Sequence, residues 1–135
     1  MKTSQEYVAE IRHQITEVSV EALKQCMLKE EVVLIDVREH EEFVTGHIQS
    51  AVNFPRGVLE MKLQEHPKVS HHCETRVALD ALSQQDIYLI CRTGGRSALA
   101  AKSLLEMGFS RVKSVAGGMI AWKESAMPLA EQAAG

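Results

Sequence analysis

Residues 87–107 read IYLICRTGGRSALAAKSLLEM. Four apolar residues, Ile87 to Ile90, have the continuous hydrophobicity of a strand covered on both faces. Small and aliphatic residues from Ala98 to Met107 have the composition of a packed helix, and Gly108 follows as its stop. Between them lies CRTGGRS, residues 91–97, at the junction of strand and helix. A strand running into a helix implies a crossover to a parallel neighbour. In sheets built this way the ligand crevice lies beyond the carboxyl ends of the strands, which is where Cys91 falls.

The rest of the chain repeats the alternation. Thr3, with Glu6 three residues on, forms a capping box for a first helix whose Tyr7, Val8, Ile11 and Ile15 make an apolar stripe. Thr16 to Val18 is read as a short strand, and Ser19 caps a helix to about Leu28. Val32 to Ile35 and Ala51 to Phe54 are further strands, separated by a short helix with Glu39, Glu41 and Glu42 in its first turn. Weaker helical patterns cover Val58 to Gln64 and Thr75 to Leu82, and the polar residues His66 to Glu74 between them form a loop. Val112 to Val115 is the last strand, and Met119 to about Ser125 the last helix. The expected fold is three-layer α/β/α, with a mainly parallel sheet of about five strands and an added N-terminal helix. Its apolar stripe must be buried on its own domain or against a second copy, so monomer and homodimer both remain open.

Composition narrows the function classes. At 135 residues, 45% hydrophobic and 24% charged, the chain suits one domain. Its 18 acidic and 15 basic residues are interspersed, giving a net charge of −3 with no basic tract for nucleic acid or a membrane surface, so neither partner is expected. Glu6, Glu10 and Arg12 interrupt any secretory core, and the expected location is cytoplasmic. Cys26, Cys73 and Cys91 are odd in number and lack CxxC spacing, which fits reduced thiols better than a disulfide framework or a zinc site.

Cys91 is the candidate nucleophile. A thiol attacks as thiolate, and a free cysteine titrates near ~8.5, so a reactive one needs positive surroundings. Arg92, Arg96 and the start of the following helix supply them, while Gly94 and Gly95 let the loop amides turn inward as an anion cradle. A buried structural thiol with a glycine turn is the plainer alternative. Two arginines within five residues weigh against it, because guanidinium groups packed there call for an anion or a carboxylate.

CRTGGRS resembles the active-site loop of the rhodaneses, a family of sulfurtransferase domains. Asp36-Val37-Arg38 with Glu42-Phe43 resembles the family's DVR motif and acidic helix, and residues 46–54, GHIQSAVNF, resemble its GHIPGAxN stretch. Residues 117–122, GGMIAW, with Pro128 beyond, resemble its GGxxAW...P signature. Gln49 and Ser50 stand where Pro and Gly are usual, and Ala126 where a Gly often precedes the Pro. The likeness implies a helical extension at 1–14, a rhodanese domain at 15–130 and a tail at 131–135.

What the resemblance implies is a thiosulfate sulfurtransferase working through a Cys91 persulfide. Arg92, Thr93, Gly94, Gly95 and Arg96 would bind the donor, and Asp36 and Arg38 would support the loop. The partners would be a small-molecule sulfur donor and a thiol or cyanide acceptor, or a protein in either role, and no cofactor or metal is expected. Sulfite leaves as a stable anion, so no general acid is needed beside Cys91. Arg96 could contact the donor or fold onto a carboxylate, for which Asp36 is the candidate. A rival is a cysteine phosphatase or arsenate reductase, which holds five residues between Cys and Arg where this chain has four, Arg92 to Gly95. One residue spans at most about 3.3 to 3.6 Å, so the smaller ring closes tightly around a tetrahedral oxyanion. A second rival is a persulfide carrier or docking module.

Weaker expectations attach elsewhere. His71-His72-Cys73 is read as a solvated loop rather than a metal site. Cys73 could resolve the Cys91 persulfide if it lies close. Cys26 is read as core, His47 as satisfying a turn, and Met119 and Trp122 as packing residues.

Overall fold

The structure is a computed structural model and describes residues 1–131; residues 132–135, most of the expected tail, lie outside the described residues. Five parallel strands form one sheet in the order β1-β5-β4-β2-β3, with β1 at Thr16–Val18, β2 at Val33–Asp36, β3 at Val52–Asn53, β4 at Ile87–Ile90 and β5 at Val112–Val115. The helices are α1 (Ser4–Arg12), α2 (Val20–Lys29), α3 (His40–Val44), α4 (Leu59–Lys62), α5 (Thr75–Ser83), α6 (Gly95–Met107) and α7 (Gly118–Glu124). No helix among the described residues is long and apolar enough to cross a membrane.

Side-chain alternation along the central strands explains their unbroken hydrophobicity. Val33, Ile35, Ile87 and Leu89 point to one face and pack with Leu59, Leu82, Ala100 and Leu104 from α4, α5 and α6. Leu34, Tyr88 and Ile90 point to the other, against Val20 and Leu23 of α2 and Met119 and Trp122 of α7. Successive residues of a strand alternate faces, so covering both faces demands apolar residues at every position. Cys91 continues the Ile87–Leu89 face and is buried under α6.

The capping signals hold at α1, where Thr3 and Glu6 form a reciprocal box, and at α2, where the Ser19 hydroxyl accepts from the Ala22 amide at 3.0 Å. Helix α1 lies along α6, so its stripe is covered in part by its own domain, with Ile11 buried and Tyr7 left exposed. The main departure from the sequence reading concerns α6. It starts at Gly95, three residues before the expected Ala98, because Gly94 takes φ +103° as the residue before the first turn. A left-handed residue at a helix entry needs no side chain to strain it, and only glycine offers that freely. Gly95 and Arg96 therefore belong to the first turn of the helix.

Candidate active site

The loop of residues 91–97 closes on the sulfur. The Gly94 amide donates to Cys91 Sγ at 3.1 Å and the Ser97 amide at 3.4 Å, both from the N-terminal end of the 13-residue helix α6. The unpaired amides and dipole of a helix start favour an anion there. Cys91 Sγ also lies 3.5 Å from the Ser97 hydroxyl, which is 2.8 Å from the Ser114 hydroxyl of β5. Both serines are fully buried. Neither was singled out in the sequence as part of the site. A polar residue inside the buried strand Val112–Val115 was the available signal, since an unpaired hydroxyl in a core is costly.

A second helix start holds the loop from behind. The Met119 amide donates to the Cys91 carbonyl at 2.8 Å and the Ile120 amide to the Arg92 carbonyl at 3.1 Å. This close approach leaves no room at Gly118, whose φ is +53°: a Cβ there would sit 2.4 Å from the Cys91 carbonyl oxygen. The GGMIAW stretch is thus a clamp on the main chain of Cys91 and Arg92 as well as a packing segment.

The two arginines of the loop part company. Arg92 is exposed and takes part in no ion pair among the described residues. Arg96 makes a two-pronged pair with Glu42, Nη1 to Oε1 at 2.7 Å and Nη2 to Oε2 at 2.9 Å. The Arg96 hydrogen bonds, helped by the Glu39 amide, hold the Glu42 carboxyl down at about 2 against burial, which acts the other way. Glu42 in turn raises the Arg96 pKa.

This corrects the expected partner of Arg96, which is Glu42 and not Asp36. Asp36 pairs in register with Ile90, whose side chain belongs to the α2 and α7 face, whereas Arg96 rides on α6 over the opposite face. The strand alternation that places Cys91 under α6 turns Asp36 away from it.

Asp36 instead receives Arg38, with Nε at 3.0 and 3.2 Å and Nη2 at 2.8 Å, in a pair that is 0% and 4% exposed. Arg38 Nη2 also donates to the Gly46 carbonyl at 2.8 Å, and Asn53 Nδ2 donates to the carbonyls of Asp36 and Arg38 at 3.0 and 2.9 Å. These bonds tie the Asp36–Arg38 turn, the Gly46 turn and β3 together at the carboxyl edge. Thr93 is exposed beside the loop, facing Arg12 of α1 across a shared cleft.

None of the remaining candidates is a recorded hydrogen-bond partner of the Cys91 sulfur. His47 stacks on Phe43 with ring centroids 3.8 Å apart and lies 2.9 Å from the Phe43 carbonyl through Nδ1, a turn-satisfying role. Trp122 is buried and donates to the Pro128 carbonyl at 2.9 Å. Ala126, in the place where a glycine was expected, carries the positive φ of +54° that such a glycine would relieve. The cysteines are free: Cys26 half-buried, Cys73 exposed and Cys91 buried. The His71 and His72 rings lie 4.1 Å apart, and among the described residues no group of three or more potential metal ligands gathers there.

The Rhodanese-like domain family matches residues 19–125. The chain belongs to the rhodanese-like family. A rhodanese-like fold of five parallel strands between helices is what the strand order above describes. The chain is similar to a "Sulfurtransferase" of Allochromatium vinosum, 29% identical over 85% of this chain and 94% of that protein. It is similar also to the "Putative sulfur carrier protein YrkF" of Bacillus subtilis, 34% identical over 87% of this chain and 56% of that protein. Among solved structures it resembles the Rhodopseudomonas palustris protein RPA3614, a "Possible Tyrosine Phosphatase", with TM-score 0.75, 24% identity and 96% of each chain covered. At that identity the last likeness speaks for the fold alone. The rhodanese-like match begins at Ser19, so α1 and β1 lie before it.

Proposed function

We propose that this rhodanese-like domain is a cytoplasmic thiosulfate sulfurtransferase that carries sulfane sulfur as a persulfide on Cys91. The observation that supports it best is the sulfur held by the Gly94 and Ser97 amides at the start of α6. An anionic sulfur is stabilised by preorganised main-chain donors aimed at it. The Cys91 thiolate attacks the outer sulfur of thiosulfate, forming a new S–S bond as the sulfur–sulfur bond of the donor breaks. Sulfite leaves with the electron pair and needs no proton, which agrees with a sulfur whose recorded hydrogen-bond partners are the Gly94 and Ser97 amides and the Ser97 hydroxyl. Arg92, exposed beside the nucleophile, draws in the dianion. Arg96, occupied by Glu42, shapes the loop rather than gripping the donor.

Burial of Cys91 at 1% exposure suits the second half-reaction. A persulfide carries its outer sulfur about 2.05 Å beyond Sγ, towards the loop mouth. A thiol or cyanide acceptor attacks that outer atom, and the Cys91 thiolate is the leaving group. The occupation of Arg96 by Glu42 also weighs against an oxyanion-gripping phosphatase loop.

The test is thiocyanate formation from thiosulfate and cyanide, compared with Cys91→Ser. Turnover by the natural protein and none by the variant is expected; equal rates in both would overturn the proposal. A carrier reading is favoured by the likeness to YrkF. Mass spectrometry separates the two: a gain of one sulfur on Cys91 without thiocyanate formation would mark a carrier.

A further inference from the structure

The added helix α1 ends beside the active loop. Arg12, its last residue, is held through Nε by Glu17 of β1 at 3.3 Å, and that carboxylate oxygen has no hydrogen-bond partner among the described residues. The Arg12 Nη2 edge turns to the loop, 3.6 Å from where a Cβ on Gly94 would stand. Between helix and loop lies a cleft of about 320 Å³, lined by Ser4, Gln5, Val8, Arg12, Thr93 and Gly95. Its polar and apolar walls suit a short chain, and its cation stands beside Gly94, the residue whose amide touches Cys91 Sγ.

We infer that this cleft is a subsite for the body of a sulfur acceptor, and that Arg12 selects thiols bearing a carboxylate. The inference rests on the persulfide reading above. The acceptor thiolate attacks the outer sulfur of the Cys91 persulfide in its protonated form. An S–S bond forms to the acceptor, the Sγ–S bond breaks, and the products are the Cys91 thiolate and the acceptor's hydropersulfide. The acceptor attacks the outer sulfur and not the buried Sγ, so its chain lies outside the ring, where the cleft borders Thr93 and Gly95. A carboxylate at its far end meets the guanidinium, as anions of matching reach do. Because α1 precedes the family match at residues 19–125, the selectivity belongs to the extension and not to the shared domain.

The test uses the full chain with Cys91 loaded by thiosulfate and follows loss of the extra sulfur by mass spectrometry. The acceptors are 3-mercaptopropionate and 6-mercaptohexanoate, each against the mercapto alcohol of equal chain length. The ratio of acid to alcohol rate constants should fall about fivefold in Arg12→Gln, the size of a partly exposed ion pair, and be kept in Arg12→Lys. A ratio unchanged in Arg12→Gln, or lowered equally in Arg12→Lys, overturns the subsite. Should Cys91 fail to load, the persulfide reading falls and the subsite is read from amide shifts at Thr93 and Gly95 on adding the mercapto acids. Shifts lost in Arg12→Gln then sustain the subsite, and none in the natural protein overturns it.

Discussion

Gly94-Gly95 and Gly117-Gly118 each follow a parallel strand, each open a helix at the carboxyl edge of the same sheet, and each place their first glycine in the left-handed region. At the first pair the amides of Gly94 and Ser97 turn towards a sulfur, whereas after the second those of Met119 and Ile120 turn towards the carbonyls of Cys91 and Arg92. One helix start therefore faces the Cys91 sulfur, and the other steadies the main chain that carries it. The same local geometry yields a site or a support according to what the tertiary fold places in front of it.

That contrast can be broken most severely at Gly118. Its Cβ in Gly118→Ala would stand 2.4 Å from a main-chain oxygen and 2.7 Å from the Arg92 carbonyl carbon, at a positive φ. Neither neighbour is a flexible side chain, so the loop itself must move. A stability loss of roughly 3 kcal/mol is expected from strain and overpacking together, read from denaturant midpoints. Thiosulfate turnover should fall about a hundredfold, as displacement of a reacting group by 1 Å does.

Gly94→Ala sharpens the comparison from the other side. The position has φ +103°, yet a Cβ would meet nothing closer than 3.4 Å. Strain of about 1 to 2 kcal/mol is expected without loss of the fold. The sulfur should lose its amide at 3.1 Å, and kcat/KM should drop by more than the stability change explains. Equal kinetics in Gly94→Ala and the natural protein would remove this amide from the chemistry.

The first pair has an outside clamp as well, in Glu42. Glu42→Gln should lower kcat/KM about tenfold, less than a direct misplacement of the nucleophile. Both side chains are about one-third exposed, so screening limits the pair to at most about 1 kcal/mol. Since the folded carboxyl titrates near 2 rather than 4.5, its contribution is present above pH 4.5 and lost as pH falls towards 2. The stability difference between Glu42→Gln and the natural protein should shrink over that window. A difference independent of pH would assign the effect to packing.

Gly95→Ala is the expected null. No atom lies within 4 Å of its Cβ position and its φ is not in the left-handed region, so stability should change by less than about 1 kcal/mol, with a small gain from reduced unfolded-state entropy. A Gly95 variant as damaged as Gly94→Ala would mean that the pair acts as a unit.

Much of this was legible in the residues. Continuous apolar strands, capping signals at Thr3 and Ser19, and the cysteine, glycine and arginine residues of 91–97 are local patterns, and local patterns set backbone conformation. The β4-to-α6 junction and the location of Cys91 followed from them. The start of α6 was misplaced because Gly94 reads as a turn whether or not a helix begins on its heels. Asp36 was chosen for Arg96 because both lie at the same sheet edge; the alternation of strand side chains, applied one step further, would have turned Asp36 to the other face. The Ser114 hydroxyl left only the faint signal of a polar residue in a buried strand.

By itself, then, the sequence determined a parallel βα architecture and a thiol at the head of a helix, since these depend on neighbours within a few residues. Tertiary structure decided that Glu42, 54 positions from Arg96, takes the guanidinium, that Gly118 presses against the Cys91 carbonyl, and that Arg12 borders the loop. Those contacts depend on which face each strand residue takes, on sheet register and on helix packing, and none of these is written in any single stretch of the chain.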